Sequence, residues 1–131
     1  MPKSHLRTTK EIREEHLQND PIFREYWERT ALARAVALAV VGYRLEHGLT
    51  QTKLSEKLGV HQPHVSRLEL GEHNPSFEML QRISRELGLR FIVQIGPSDE
   101  EAPESALTLP KGVTIIEDVT TAGSRLLIAA G

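Results

Sequence analysis

At 131 residues and 39% hydrophobic, the chain has the size of one small domain with extensions and the means for a modest core. It has no cysteine, which excludes a disulfide framework and a thiolate metal site, and its longest uncharged apolar run, residues 35–43, is too short to span a membrane. The net charge of −2 excludes a strong overall basic field, yet the charge is uneven: after Gly96 only Lys111 and Arg125 face Asp99, Glu100, Glu101, Glu104, Glu117 and Asp118, which leaves the head of the chain mildly basic.

Residues 1–7 carry no periodicity and are expected to be loose. Thr8 and Glu11 fit a capping box at the start of a short helix over 9–18, which shows too few apolar side chains to hold itself. Asp20 and Pro21 then stop it and begin a second helix. That helix carries Ile22, Phe23, Tyr26 and Trp27 on adjoining faces. They read either as a staple packing this arm (residues 1–29) onto the main domain or as an anchor for a partner protein. Residues 30–46 form the first helix of the domain proper. Leu32, Val36, Ala39, Val40 and Tyr43 make one apolar stripe and Leu38, Val41 and Leu45 a second, so this helix is expected to be buried on most sides.

Residues 49–71, LTQTKLSEKLGVHQPHVSRLELG, read as two short helices joined by a tight turn. Thr50 is a good N-cap, and Leu54 and Leu58 lie one turn apart. Gly59 stands where a helix end takes a left-handed backbone, and Val60 plugs the corner. His61 caps the second helix, Pro63 sits in its first turn, and Gly71 closes it. With Val65 and Leu68 facing the core, Gln62, His64, Ser66 and Arg67 lie on or near the outward face, at the front of a helix, where side chains that hydrogen-bond can read base edges. Gln62 is the best direct reader, since Gln bonds adenine at two atoms, and Arg67 reaches a guanine or a phosphate. His61 joins them as a candidate contact. His61 and His64 at i,i+3 spacing lack a third ligand, so no metal is expected.

The polar loop 72–75 is expected over a DNA backbone strand, with Asn74 as its contact. Ser76 caps a further helix whose stripe is Phe77, Leu80, Ile83 and Leu87, ended by Gly88. The period changes to that of a strand over 89–95, with Phe91, Val93 and Ile95 alternating with Arg90, Ile92 and Gln94. No second convincing strand lies nearby, so this strand is expected to pair with its own copy across a two-fold axis. The fold class expected is therefore mainly α: a compact domain of four to five helices over residues 30–95, with a helical arm before it and a single C-terminal strand that pairs across a dimer. Residues 96–131 read as an acidic, proline-containing linker and an extension with two short apolar runs, which form a hairpin docking on a partner or stay disordered until bound.

Over residues 44–89 the chain resembles the Cro/repressor-type helix-turn-helix family, with Gln51, Gly59, Glu69 and Gly71 all in phase. The resemblance implies a homodimer that places two recognition helices about 34 Å apart on a palindromic operator of double-stranded DNA. It implies that Gln51 bonds a phosphate and buttresses the recognition helix, and that Arg44 and Glu69 form an ion pair inside the domain. Pro63 departs from many relatives and removes a donor there. The layout of arm, domain and strand looks like that of HigA-type antitoxins. Such proteins belong to type II toxin–antitoxin pairs, repress their own operons and neutralise a RelE-like ribonuclease toxin. Residues 22–27 or the strand region would then touch the toxin. A stand-alone repressor or activator with no toxin is the alternative. No arrangement of nucleophile, base and oxyanion donors or phosphate-cradling glycine loop is visible, so neither an enzyme nor a cofactor is expected, and the lack of cysteine and of a signal peptide fits the cytoplasm.

Overall fold

Side chains and glycines set the helix boundaries. The computed structural model describes residues 7–98, 109–121 and 123–131, so the expected loose N-terminus and acidic linker fall largely outside the described residues. Helix α1 (Thr9–Asn19) opens on a capping box: Glu11 N donates to Thr8 Oγ1 at 3.1 Å and Thr8 N to Glu11 Oε2 at 3.0 Å. Helix α2 (Pro21–Arg29) starts from Asp20, whose Oδ1 accepts from the amides of Ile22 and Phe23. Neither arm helix contains a buried residue.

Helices α3 (Ala31–Glu46), α4 (Gln51–Leu58), α5 (Gln62–Leu70) and α6 (Phe77–Leu87) follow. Thr50 and Ser76 each accept the amide three residues on, at 3.1 Å. Gly59 ends α4 at φ 72°, a left-handed conformation that a side chain would hinder. Gly71 ends α5 at φ 66° and has a second constraint, because a Cβ there would lie 3.3 Å from Ala37 Cβ. The core joins Val36 and Val40 of α3 to Leu54, Leu58, Val65, Leu68, Met79, Ile83 and Leu87. Each large aliphatic side chain taken fully from water here contributes about 1.5–3 kcal/mol.

Two stripes differ from expectation. On α3, Leu38 and Leu45 are exposed, while Ala31, Ala33, Ala35 and Ala37 are buried. Small residues make the contact surface here, and they let neighbouring backbones approach closely. On α6 the inward row is Met79, Ile83 and Leu87, at four-residue spacing, and Phe77 points out.

The single C-terminal strand is also corrected. Strands β1 (Phe91–Gly96), β2 (Thr114–Thr120) and β3 (Arg125–Ala130) form an antiparallel sheet in the order β1–β3–β2. The partner of β1 is thus the last strand of the same chain, and the ladder begins at Arg90 and Gly131, whose backbones exchange bonds of 2.8 and 3.1 Å. The hairpin of β2 and β3 docks on its own domain: Val119 and Ile128 pack against Ala31 and Ala35 of α3 in a second apolar cluster. A bulge interrupts β2 between Ile115 and Glu117. Arg34 of α3 reaches Glu117 at 3.1 Å and anchors the sheet. Among the described residues no helix is long and apolar enough to cross a membrane.

Candidate nucleic-acid interface

The two-helix unit is held rigid from three sides. From inside, Leu54 and Leu58 of α4 and Val65 and Leu68 of α5 lock into the core. At the turn, Arg82 of α6 donates to the carbonyls of Gly59 (3.1 Å) and Leu58 (3.4 Å), satisfying acceptors that the end of α4 leaves free. At the far end of α5, Glu69 takes three hydrogen bonds of 2.8–3.0 Å from the Arg44 guanidinium, which also donates to the carbonyl of Leu49. Hydrogen bonding to the Glu69 carboxylate raises the Arg44 pKa above its ordinary value, which reinforces a guanidinium that is charged in any case. Arg82 was not foreseen from sequence: an arginine on the solvent side of α6 carries no local signal that it reaches back across the turn.

At the front, Gln62 Nε2 donates to Gln51 Oε1 at 2.8 Å, which ties the first residues of α4 and α5 together. Gln62 keeps its own Oε1 and a second N–H for a further partner. His61 and Arg67 are exposed, and Gln62, His64 and Ser66 are partly so. The side chains of His61, His64, Ser66 and Arg67 make no hydrogen bond or ion pair with any described residue. His61 occupies the cap position of α5, but its side chain makes no capping bond, contrary to expectation. A shallow recess between α5 and the following loop is lined by His64, Arg67, His73 and Pro75.

Asn74, expected as a DNA contact, is exposed in its loop and also bonds within the molecule. Its Oδ1 accepts from Ala33 N at 3.0 Å and its Nδ2 donates to the Arg29 carbonyl at 2.9 Å. Thr30, at the start of α3, makes no side-chain capping bond to that helix, and Asn74 supplies one from a distant loop. Its amide is therefore engaged inside the molecule.

The four arm residues divide into two pairs. Trp27 lies under the Arg34 guanidinium at 3.5 Å and has Arg13 at 5.0 Å. Phe23 meets Trp27 and His16 ring to ring at 5.9 and 5.6 Å. Ile22, 82% exposed, and Tyr26 face outward. Among the described residues no three His, Asp or Glu side chains converge on a metal-sized site.

A helix-turn-helix family model matches residues 43–93. The chain is 41% identical over 59 residues to an uncharacterized HTH-type transcriptional regulator of Methanothermobacter thermautotrophicus, covering 45% of this chain and 86% of that one. It is 32% identical over 91 residues to Antitoxin HigA1 of Mycobacterium tuberculosis, covering 68% of this chain and 60% of that protein. The crystal structure of the clp gene regulator ClgR from C. glutamicum matches 44% of this chain and 73% of its own at 32% identity, with a TM-score of 0.40. The capped two-helix unit and its outward polar row agree with the family match and the likeness to the Methanothermobacter regulator: the chain belongs to the Cro/repressor-type helix-turn-helix family of transcriptional regulators.

Proposed function

We propose that this protein represses its own operon as a two-fold dimer on a palindromic operator, and that it is the antitoxin of a type II pair, neutralising a RelE-like ribonuclease. The observation that carries the operator reading is the front of α5, where Gln62 is steadied by Gln51 while Arg67, His64 and Ser66 have no partner within the described chain. Gln62 then offers an acceptor and a donor to the edge of an adenine, and Arg67 a fork to a guanine. The amides at the start of α4, with Gln51, face a phosphate. Because the overall field is weak, affinity comes from these focused contacts doubled by symmetry.

The antitoxin reading is supported by the likeness to Antitoxin HigA1, which is longer than the 43–93 span of the helix-turn-helix match, and by an arm that presents Ile22 and Tyr26 outward. Footprinting on the DNA upstream of this protein's own coding sequence, at two salt concentrations, tests the first part. A symmetric pair of protected half-sites with a salt-dependent affinity is expected, and the slope counts the phosphates neutralised. Absence of any protected site there sinks the operator reading. Copurification with the product of the adjacent reading frame tests the second; a chain that purifies alone, with no toxicity in that frame, is a stand-alone regulator.

A further inference from the structure

The outer side of β1 has no strand beside it among the described residues. Arg90 and Gly131 exchange both backbone bonds, and antiparallel ladders alternate, so the N–H and C=O groups of Phe91, Val93 and Ile95 point to this open side. The side chains of the same three residues share one face. There Phe91 touches the helical core, and Phe91 and Val93 line a groove of about 820 Å³ with Leu32, Phe77 and Leu80. Val93 (44%) and Phe77 (71%) are exposed along it, and Ile95 (72%) is exposed further along the strand. The β1–β3 register runs without a shift from Phe91 to Gly96, and that stretch of β1 contains no charge. The opposite edge is guarded: β2 is broken by a bulge and carries Glu117 and Asp118. An unbroken, uncharged edge with apolar side chains is a surface that proteins otherwise take pains to cover.

We propose that a second copy of this chain covers it. Two β1 strands pair antiparallel about a two-fold axis at Val93, joining the two three-stranded sheets into one and closing the groove on both copies. The choice of occupant follows from self-complementarity. Reversed about Val93, the strand sets Phe91 opposite Ile95 and Val93 opposite itself, apolar against apolar on one face. Val93 also falls at a position whose backbone groups point outward, so the two copies exchange N–H and C=O there. Pro75 lines both this groove and the recess beside His64 and Arg67, which places the pairing surface one loop away from the row that faces DNA. This inference deepens, and rests on, the reading of the protein as an operator-binding dimer.

Sedimentation velocity on the full chain over a concentration series tests it. The wild type is expected to be a dimer. Val93→Pro removes an outward N–H without deleting a donor to β3, and is expected to weaken dimerisation at least about tenfold with helicity unchanged. Phe77→Asp, on α6 and outside the strand, charges the groove and is expected to act in the same direction, while Ile115→Lys on the opposite edge leaves the dimer intact. If Val93→Pro lowers helicity, Ile95→Lys takes its place. The proposal is overturned by a wild type that is monomeric at concentrations protecting the operator, or by folded edge and groove variants that dimerise as the wild type does. A dimer that loses its pairing in these variants but protects no DNA would sink the operator reading and leave this surface standing. A symmetric footprint from a dimer indifferent to them would do the reverse.

Discussion

Arg34 and Arg44 stand near opposite ends of α3, and each grips a carboxylate on another element. Arg44 holds Glu69, 25 residues away, and so fixes α5. Arg34 holds Glu117, 83 residues away, stacks on Trp27 and donates to Thr30, and so fixes the sheet and the arm together. One helix thus serves two half-molecules of different character. The helix-turn-helix half closes over a short stretch of chain. The sheet half is incomplete until β3 returns to lie beside β1.

The largest test asks whether the halves unfold as one. Leu54→Ala in the first core and Ile128→Ala in the second should each cost about 2–5 kcal/mol, since both side chains are fully buried. Urea unfolding followed by far-UV circular dichroism and by Trp27 fluorescence is expected to give one shared transition for both variants. Separate transitions would show that α3 does not couple the halves. Next, Glu117→Gln should lose about 1.5–3 kcal/mol and alter Trp27 emission while leaving operator affinity unchanged. Glu69→Gln is expected to weaken operator binding, because it frees the end of α5. If the two variants had the same effect on DNA, the division of labour between the arginines would fail. Arg67→Ala touches neither anchor. It is expected to lose about 1–3 kcal/mol of binding at defined operator positions with no change in unfolding midpoint; a uniform loss across sequences would make Arg67 a phosphate contact. The smallest effect is expected from Asn74→Ala, about 0.5–2 kcal/mol of stability as the cap of α3 is lost, read from the same urea curves.

The same division explains what was legible in the sequence. Thr8, Asp20, Thr50 and Ser76 announce helix starts through bonds to residues two or three places on, and Gly59 and Gly71 announce helix ends through their own φ. Such signals are local and read directly. The partner of β1 was illegible because it lies about thirty residues further on, across a linker, in a run of apolar residues (Leu126 to Ala130) with no alternation: β3 is the central strand, paired on both edges, and consecutive residues from Leu127 to Ala130 are buried. The cap that Asn74 gives α3 was illegible for a related reason: its loop position points to solvent, where it is exposed, while its hydrogen-bond partners are 41 and 45 residues away. The stripes of α3 and α6 were over-counted because periodicity marks which residues share a face, and not whether another element arrives to cover it.

Asn74 has a mechanical consequence. A single carboxamide acts as the pin through three parts: the last carbonyl of the arm, the first turn of α3, and the loop that follows α5. Its two bonds, of 2.9 and 3.0 Å, are both of ordinary length. A displacement of α2 by the length of one hydrogen bond would break the bond from Asn74 to the Arg29 carbonyl, so the arm and the loop beside Arg67 share that bond as a common tie.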